Sequence, residues 1–130
     1  MRERPREPPE TRRAVRRGVD LDCDVIFGER DEPVPCRAID LSPYGLWLET
    51  TILAEPGEHV VICFRPPNWP SMWNLTVFGE VARISKGRRK ADHGHTGMGI
   101  EFCDLTEAEH AALADCLRGL PPPLPRRRGE

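Results

Sequence analysis

From Val19 to Phe27 apolar and polar side chains alternate, with Val19, Leu21, Cys23, Val25 and Phe27 on one face and Asp20, Asp22 and Asp24 on the other. That period of two predicts a strand buried on one side and solvated on the other. Turn-forming residues at 28–33 end it. A second strand is expected over Val34 to Leu41, and a third over Gly45 to Thr50 after the break at Ser42-Pro43-Tyr44. Glu55-Pro56-Gly57 marks a turn ahead of a fourth run, His59 to Arg65, and Leu75 to Ser85 reads as a fifth strand with Gly79 as its bulge. A charged, glycine-containing loop at 86–95 then separates the fifth strand from the last, Gly97 to Phe102.

The period changes after Phe102. Leu105, Ala108, Ala112, Leu113, Cys116 and Leu117 recur near the 3.6 of a helix, Thr106 stands where a cap belongs, and Glu109 follows three residues on as its reciprocal partner. Gly119 and the prolines behind it stop the helix. Six short antiparallel strands and one helix describe a mainly β fold, a small barrel or sandwich plugged by a C-terminal α-helix. Nothing in the pattern calls for a parallel βαβ unit, and phosphate-cradling glycine motifs are absent, which disfavours the Rossmann and P-loop folds.

With 130 residues the chain has room for one domain, but 31% charged residues and 14 prolines look too polar for a packed core. The polarity is segregated. Residues 1–17 carry seven Arg against three Glu (+4), residues 119–130 three Arg against one Glu (+2), and the body between them nine basic against seventeen acidic residues (−8). The expected division is a disordered basic arm at 1–11, a domain at 12–118, and a Pro/Arg-rich disordered tail at 119–130. An anion approaching the acidic body is repelled except where the arm reaches, so the arm is the first candidate anion site.

The five cysteines form no CxxC pair, which argues against a disulfide framework or zinc knuckle and for a reducing compartment. The longest apolar run, Val60 to Phe64, is far too short to span a bilayer, so a soluble cytoplasmic protein without membrane insertion is expected. Ser42 has no histidine near it in sequence, and no catalytic constellation is visible, so no enzyme is expected. Few exposed aromatics fall on strands, which argues against a nucleic-acid partner.

Two clusters carry the chemistry. Arg12-Arg13-Ala14-Val15-Arg16-Arg17 precedes the first strand, and Asp40-Leu41-Ser42-Pro43-Tyr44-Gly45 closes the second. Guanidinium groups grip phosphates bidentately and fork onto the O6/N7 edge of guanine, while a carboxylate accepts from guanine's N1 and N2 donors. A hydroxyl meets phosphate, and a glycine permits close backbone approach or a positive φ. Together these groups suit a guanine nucleotide.

In these residues the chain resembles the PilZ domain family. An RxxxR arm is matched by Arg12 and Arg16, a [DN]xSxxG turn by Asp40, Ser42 and Gly45, and the closing strand by Gly97 to Phe102, so that the likeness covers about residues 11–117. What the resemblance implies is a six-stranded antiparallel β-barrel whose arm wraps over cyclic di-GMP, with no cofactor beyond that ligand. Carried over, Arg12 and Arg16 hold phosphate and guanine, Asp40 reads a guanine edge, Ser42 meets phosphate, and Gly45 keeps the turn open. Arg13 with Arg17 satisfies the same spacing, and Val19 and Leu21 favour the Arg12/Arg16 register. The family's range implies a protein partner in motility, pilus or polysaccharide regulation. A PilZ-like scaffold that works through protein contacts without nucleotide is the alternative.

Lesser features have ordinary readings. His93 and His95 lie in a glycine-containing loop without further ligands, and His59 and His110 sit at a strand end and on a helix surface. The Trp69–Trp73 segment either folds back onto the barrel, the favoured reading, or presents a partner-binding patch.

Overall fold

The computed structural model describes residues 16–28, 30–52, 54–86 and 96–122. Six strands form in chain order: β1 Arg17–Phe27, β2 Val34–Ser42, β3 Gly45–Glu49, β4 His59–Phe64, β5 Leu75–Lys86 and β6 Thr96–Phe102. Every pairing is antiparallel. Their order, β1-β2-β3-β6-β5-β4, closes on itself because β1 also pairs with β4. Closure leaves no sheet edge and settles the choice between barrel and sandwich.

The alternating pattern decides the inside. Val25, Ala38, Leu41, Leu46, Leu48 and Ile62 are fully buried, and each larger one stabilises the fold by about 1.5–3 kcal/mol relative to exposure. Asp20, Asp22 and Asp24 point to solvent, as their alternate positions in β1 require.

Helix α1, Glu107–Leu117, begins on a complete capping box: Thr106 accepts from the Glu109 amide, and Glu109 accepts from the Thr106 amide. Leu113, Cys116 and Leu117 turn its buried face to the barrel, whereas Ala108 is exposed. Gly119, at φ 86°, takes the left-handed conformation that ends the helix.

Two expectations need correction. Gly79 lies in regular register opposite Val60 and Phe102, and the β5 irregularity falls between Val81 and Arg83. A Cβ on Gly79 would stand 2.5 Å from Ile100 Cγ2, so the residue is small for packing and forms no bulge. The tail expected to be disordered from 119 is docked at its start: Leu120 packs against the core, the Gly18 amide donates to the Pro121 carbonyl at 2.8 Å, and Arg17 Nη1 donates to the Leu120 carbonyl at 2.7 Å.

The loop between β4 and β5 divides. Trp69 packs against the core, and Asn68 Nδ2 donates to the Cys116 carbonyl, as a fold-back requires. Met72 and Trp73 remain outside, 80% and 74% exposed. His93, His95 and residues 123–130 lie outside the described residues.

Candidate functional site

The root of the arm and the turn meet. Strand β1 starts at Arg17 and pairs there with Leu41, so the preceding Arg16 falls beside the end of β2. Arg16 Nη1 donates to Asp40 Oδ1 in an ion pair that joins side chains 24 residues apart. The pair is lopsided: the Arg16 side chain is 49% exposed, that of Asp40 only 2%. A buried carboxylate is costly unless paired, and the arginine supplies the compensation. A carboxylate in a turn ordinarily sits in solvent. Asp40 is instead 1% exposed, at the point where the β2–β3 register shifts between Ala38 and Asp40.

The turn itself is a two-residue connection. Ser42 ends β2, Gly45 begins β3, and the two are register partners. Ser42 Oγ accepts from the Tyr44 amide at 3.1 Å and donates to the Gly45 carbonyl at 3.5 Å, so its hydroxyl holds the turn from within. Gly45 is needed for close approach and not for backbone handedness. A Cβ there would come to 2.2 Å from the Ile100 carbonyl of β6, and Gly45 is absent from the positive-φ glycines.

Two neighbours buttress this turn. The Tyr44 carbonyl accepts from the Phe102 amide at 2.9 Å, and the Tyr44 ring lies 4.7 Å, centroid to centroid, from His110 of α1. His110 had no legible role in the sequence, because its partner sits 66 positions away. Arg83 lies 5.3 Å over the Trp47 ring on the outer face of β5 and β3, a second cation that no motif announced.

Of the predicted ligand residues, Arg16, Arg17, Asp40, Ser42 and Gly45 are brought to one end of the barrel, while Arg12 and Arg13 lie outside the described residues. Arg16 and Arg17 diverge: one reaches the turn, the other the tail carbonyl of Leu120. A shallow depression elsewhere, lined by Asp20, Asp22 and Asp24, has the wrong charge for a phosphate. Burial disfavours the reactive thiolate form of the buried cysteines. Burial pushes Cys23 up to about 12, and Cys36 and Cys116 rise for the same reason.

The site thus stands on a closed antiparallel barrel with a C-terminal helix, where Arg16, immediately before β1, is paired to the turn aspartate Asp40. The family model of the PilZ domain matches residues 10–119, and the chain belongs to the PilZ domain family. Among solved structures it is similar to the inhibitor of motility MotI/DgrA of Bacillus subtilis, with a TM-score of 0.65 and 18% identity over 89% of this chain. That match spans about half, 52%, of the Bacillus protein. The PilZ domain of YcgR from Escherichia coli, solved with c-di-GMP, gives a TM-score of 0.62 and 19% identity over 83% of this chain and 89% of that one. No curated protein matches the chain. No helix among the described residues is long and apolar enough to cross a membrane.

Proposed function

We propose that this protein is a cyclic di-GMP receptor that passes the level of the messenger to a protein partner, its N-terminal arm ordering when the ligand arrives. The observation that carries the reading is the Arg16–Asp40 pair, which joins the arm signature to the turn signature at one end of the barrel. Arg16 is half-exposed and so keeps donors for an incoming anion directly beside the [DN]xSxxG turn. Family membership and the similarity to a PilZ domain solved with c-di-GMP support the same ligand.

In this reading Arg12 and Arg16 hold phosphate and guanine, Asp40 reads a guanine edge, Ser42 meets phosphate and Gly45 keeps the turn open; Arg13 and Arg17 are the alternative register. Neither the ligand nor its site calls for a cofactor. The protein acts in the cytoplasm, and a partner in motility control is favoured over pilus or polysaccharide regulation by the similarity to an inhibitor of motility. The scaffold alternative draws support from Ser42, whose hydroxyl is already spent on its own turn.

Calorimetric titration with cyclic di-GMP, GTP and cyclic GMP separates the two. Preference for cyclic di-GMP supports the receptor, because two guanines joined through two phosphates are needed to engage both arm and turn. Equal competition by GTP, or no heat at about hundred-micromolar ligand, hands the protein to the scaffold reading.

A further inference from the structure

A second constellation lies across three strands and has no part in the nucleotide reading. His59 opens β4 and is the register partner of Glu80 in β5, which is in turn opposite Glu101 in β6. Cys103 follows the end of β6, and its amide donates to the Phe78 carbonyl at 2.8 Å, extending the ladder so that the thiol returns beside Glu80. The ligand atoms of His59, Glu80 and Cys103 all lie within 4.8 Å of one another, with His59 Nε2 and Glu80 Oε1 3.9 Å apart.

A cross-strand imidazole–carboxylate pair is ordinary on a sheet surface. It does not account for a thiol converging on the same point from a third strand. Nitrogen, oxygen and sulfur donors facing one another form the mixed set of a borderline divalent metal: imidazole and thiolate are too soft for magnesium or calcium, and the carboxylate is hard for copper(I). Zinc takes such ligands at about 2.0–2.3 Å in a tetrahedron, which places donor atoms about 3.3–3.7 Å apart. The His59–Glu80 separation is already close to that value, and small rotations of exposed side chains close the rest. Three protein ligands leave a fourth position for water. The charge is also right, since Glu101 and Asp104 surround Cys103 together with Glu80.

We propose that His59, Glu80 and Cys103 form a surface site for a divalent transition metal, zinc above all, on the β4–β5–β6 face of the barrel. The backbone part of the site is preformed by two strand ladders, while its exposed side chains predict modest affinity and exchangeable metal. A row of register partners runs from His59 through Glu80 and Glu101 to Gly45 and Ser42, so Glu80 stands about two strand spacings, ~10 Å, from the turn. Metal at this site therefore sits on the same sheet row as the nucleotide turn while sharing none of its residues.

Cobalt(II) titrated into the full chain with its thiols kept reduced reports on the site, because a cobalt–thiolate bond gives a near-ultraviolet charge-transfer band and tetrahedral coordination gives intense visible bands. The expected result is one cobalt per chain, displaced by zinc. The charge-transfer band should vanish in Cys103→Ser, and affinity should weaken at least tenfold in His59→Ala and Glu80→Gln. Cys63→Ser, a thiol outside the cluster, should leave the spectrum unchanged. Circular dichroism of each variant verifies the fold, which these exposed substitutions should preserve. Absence of a charge-transfer band in the parent chain, or its survival in Cys103→Ser, overturns the proposal.

Discussion

Arg16, half in solvent, covers the carboxylate of Asp40, which is almost wholly buried. An arrangement of this kind makes one residue both a contact for ligand and a support for the fold. Removing the arginine uncovers a carboxylate that folding took out of water, whereas removing the aspartate leaves a solvated guanidinium with little to lose.

Arg16→Ala should therefore weaken cyclic di-GMP binding by about 1.5–3 kcal/mol, the range for charge-assisted hydrogen bonds. It should also lower stability, with a coupling to Asp40 of about 1 kcal/mol, above the usual exposed pair and below a fully buried one. A urea double-mutant cycle with Arg16→Ala and Asp40→Asn measures that coupling. A value indistinguishable from zero would mean that the pair contributes nothing to the fold.

Arg17 tests the register of the arm. Its guanidinium is engaged with the Leu120 carbonyl, so Arg17→Ala should loosen the tail and change affinity for cyclic di-GMP by less than twofold. Hydrogen exchange at residues 10–18 with and without ligand follows the arm in the same experiment. Large losses from Arg13→Ala and Arg17→Ala, with Arg12→Ala and Arg16→Ala silent, would move the motif by one residue.

Gly45→Ala should destabilise the protein by about 2–3 kcal/mol, because the new methyl meets backbone that cannot step aside. Gly57, at φ 95° with open space where its Cβ would be, provides the contrast: Gly57→Ala bears only the conformational penalty, about 1 kcal/mol. Equal midpoints for the two variants in chemical denaturation would refute the steric account of the turn.

Stability should decline in alkali. The folded protein keeps the Cys23 thiol protonated up to about 12 against an ordinary value of 9.0. Between those values the unfolded chain has released a proton that the folded chain retains, so its stabilising effect is complete below pH 9 and is lost as pH rises toward 12. The slope from this residue reaches about 1.4 kcal/mol per pH unit. Cys23→Ala should flatten the alkaline limb of a plot of stability against pH, and an unchanged limb would show that other groups govern it.

Leu113, fully buried on α1, anchors the helix to the barrel together with Cys116 and Leu117. Leu113→Ala should cost about 2–5 kcal/mol by urea denaturation. A loss below 1 kcal/mol would mean that the helix is not part of the cooperative core.

The strands were legible in the sequence because each is half-buried, and a half-buried strand writes its own period: the Val19–Phe27 alternation and the Thr106–Glu109 capping box are local facts that local residues settle. The arm and turn signatures were legible as well, since each is a short contiguous motif. What tertiary structure alone decided depends on register between strands distant in sequence. Asp40 is buried beneath Arg16, Gly45 is small because of a carbonyl on β6, and His110 serves Tyr44. None of these partners lies within twenty positions of the residue it explains. The His59–Glu80–Cys103 cluster is the extreme case: its members are single unremarkable residues until two strand ladders set them side by side. Alternation states which face a side chain takes, and only barrel closure fixes which residues of other strands share that face.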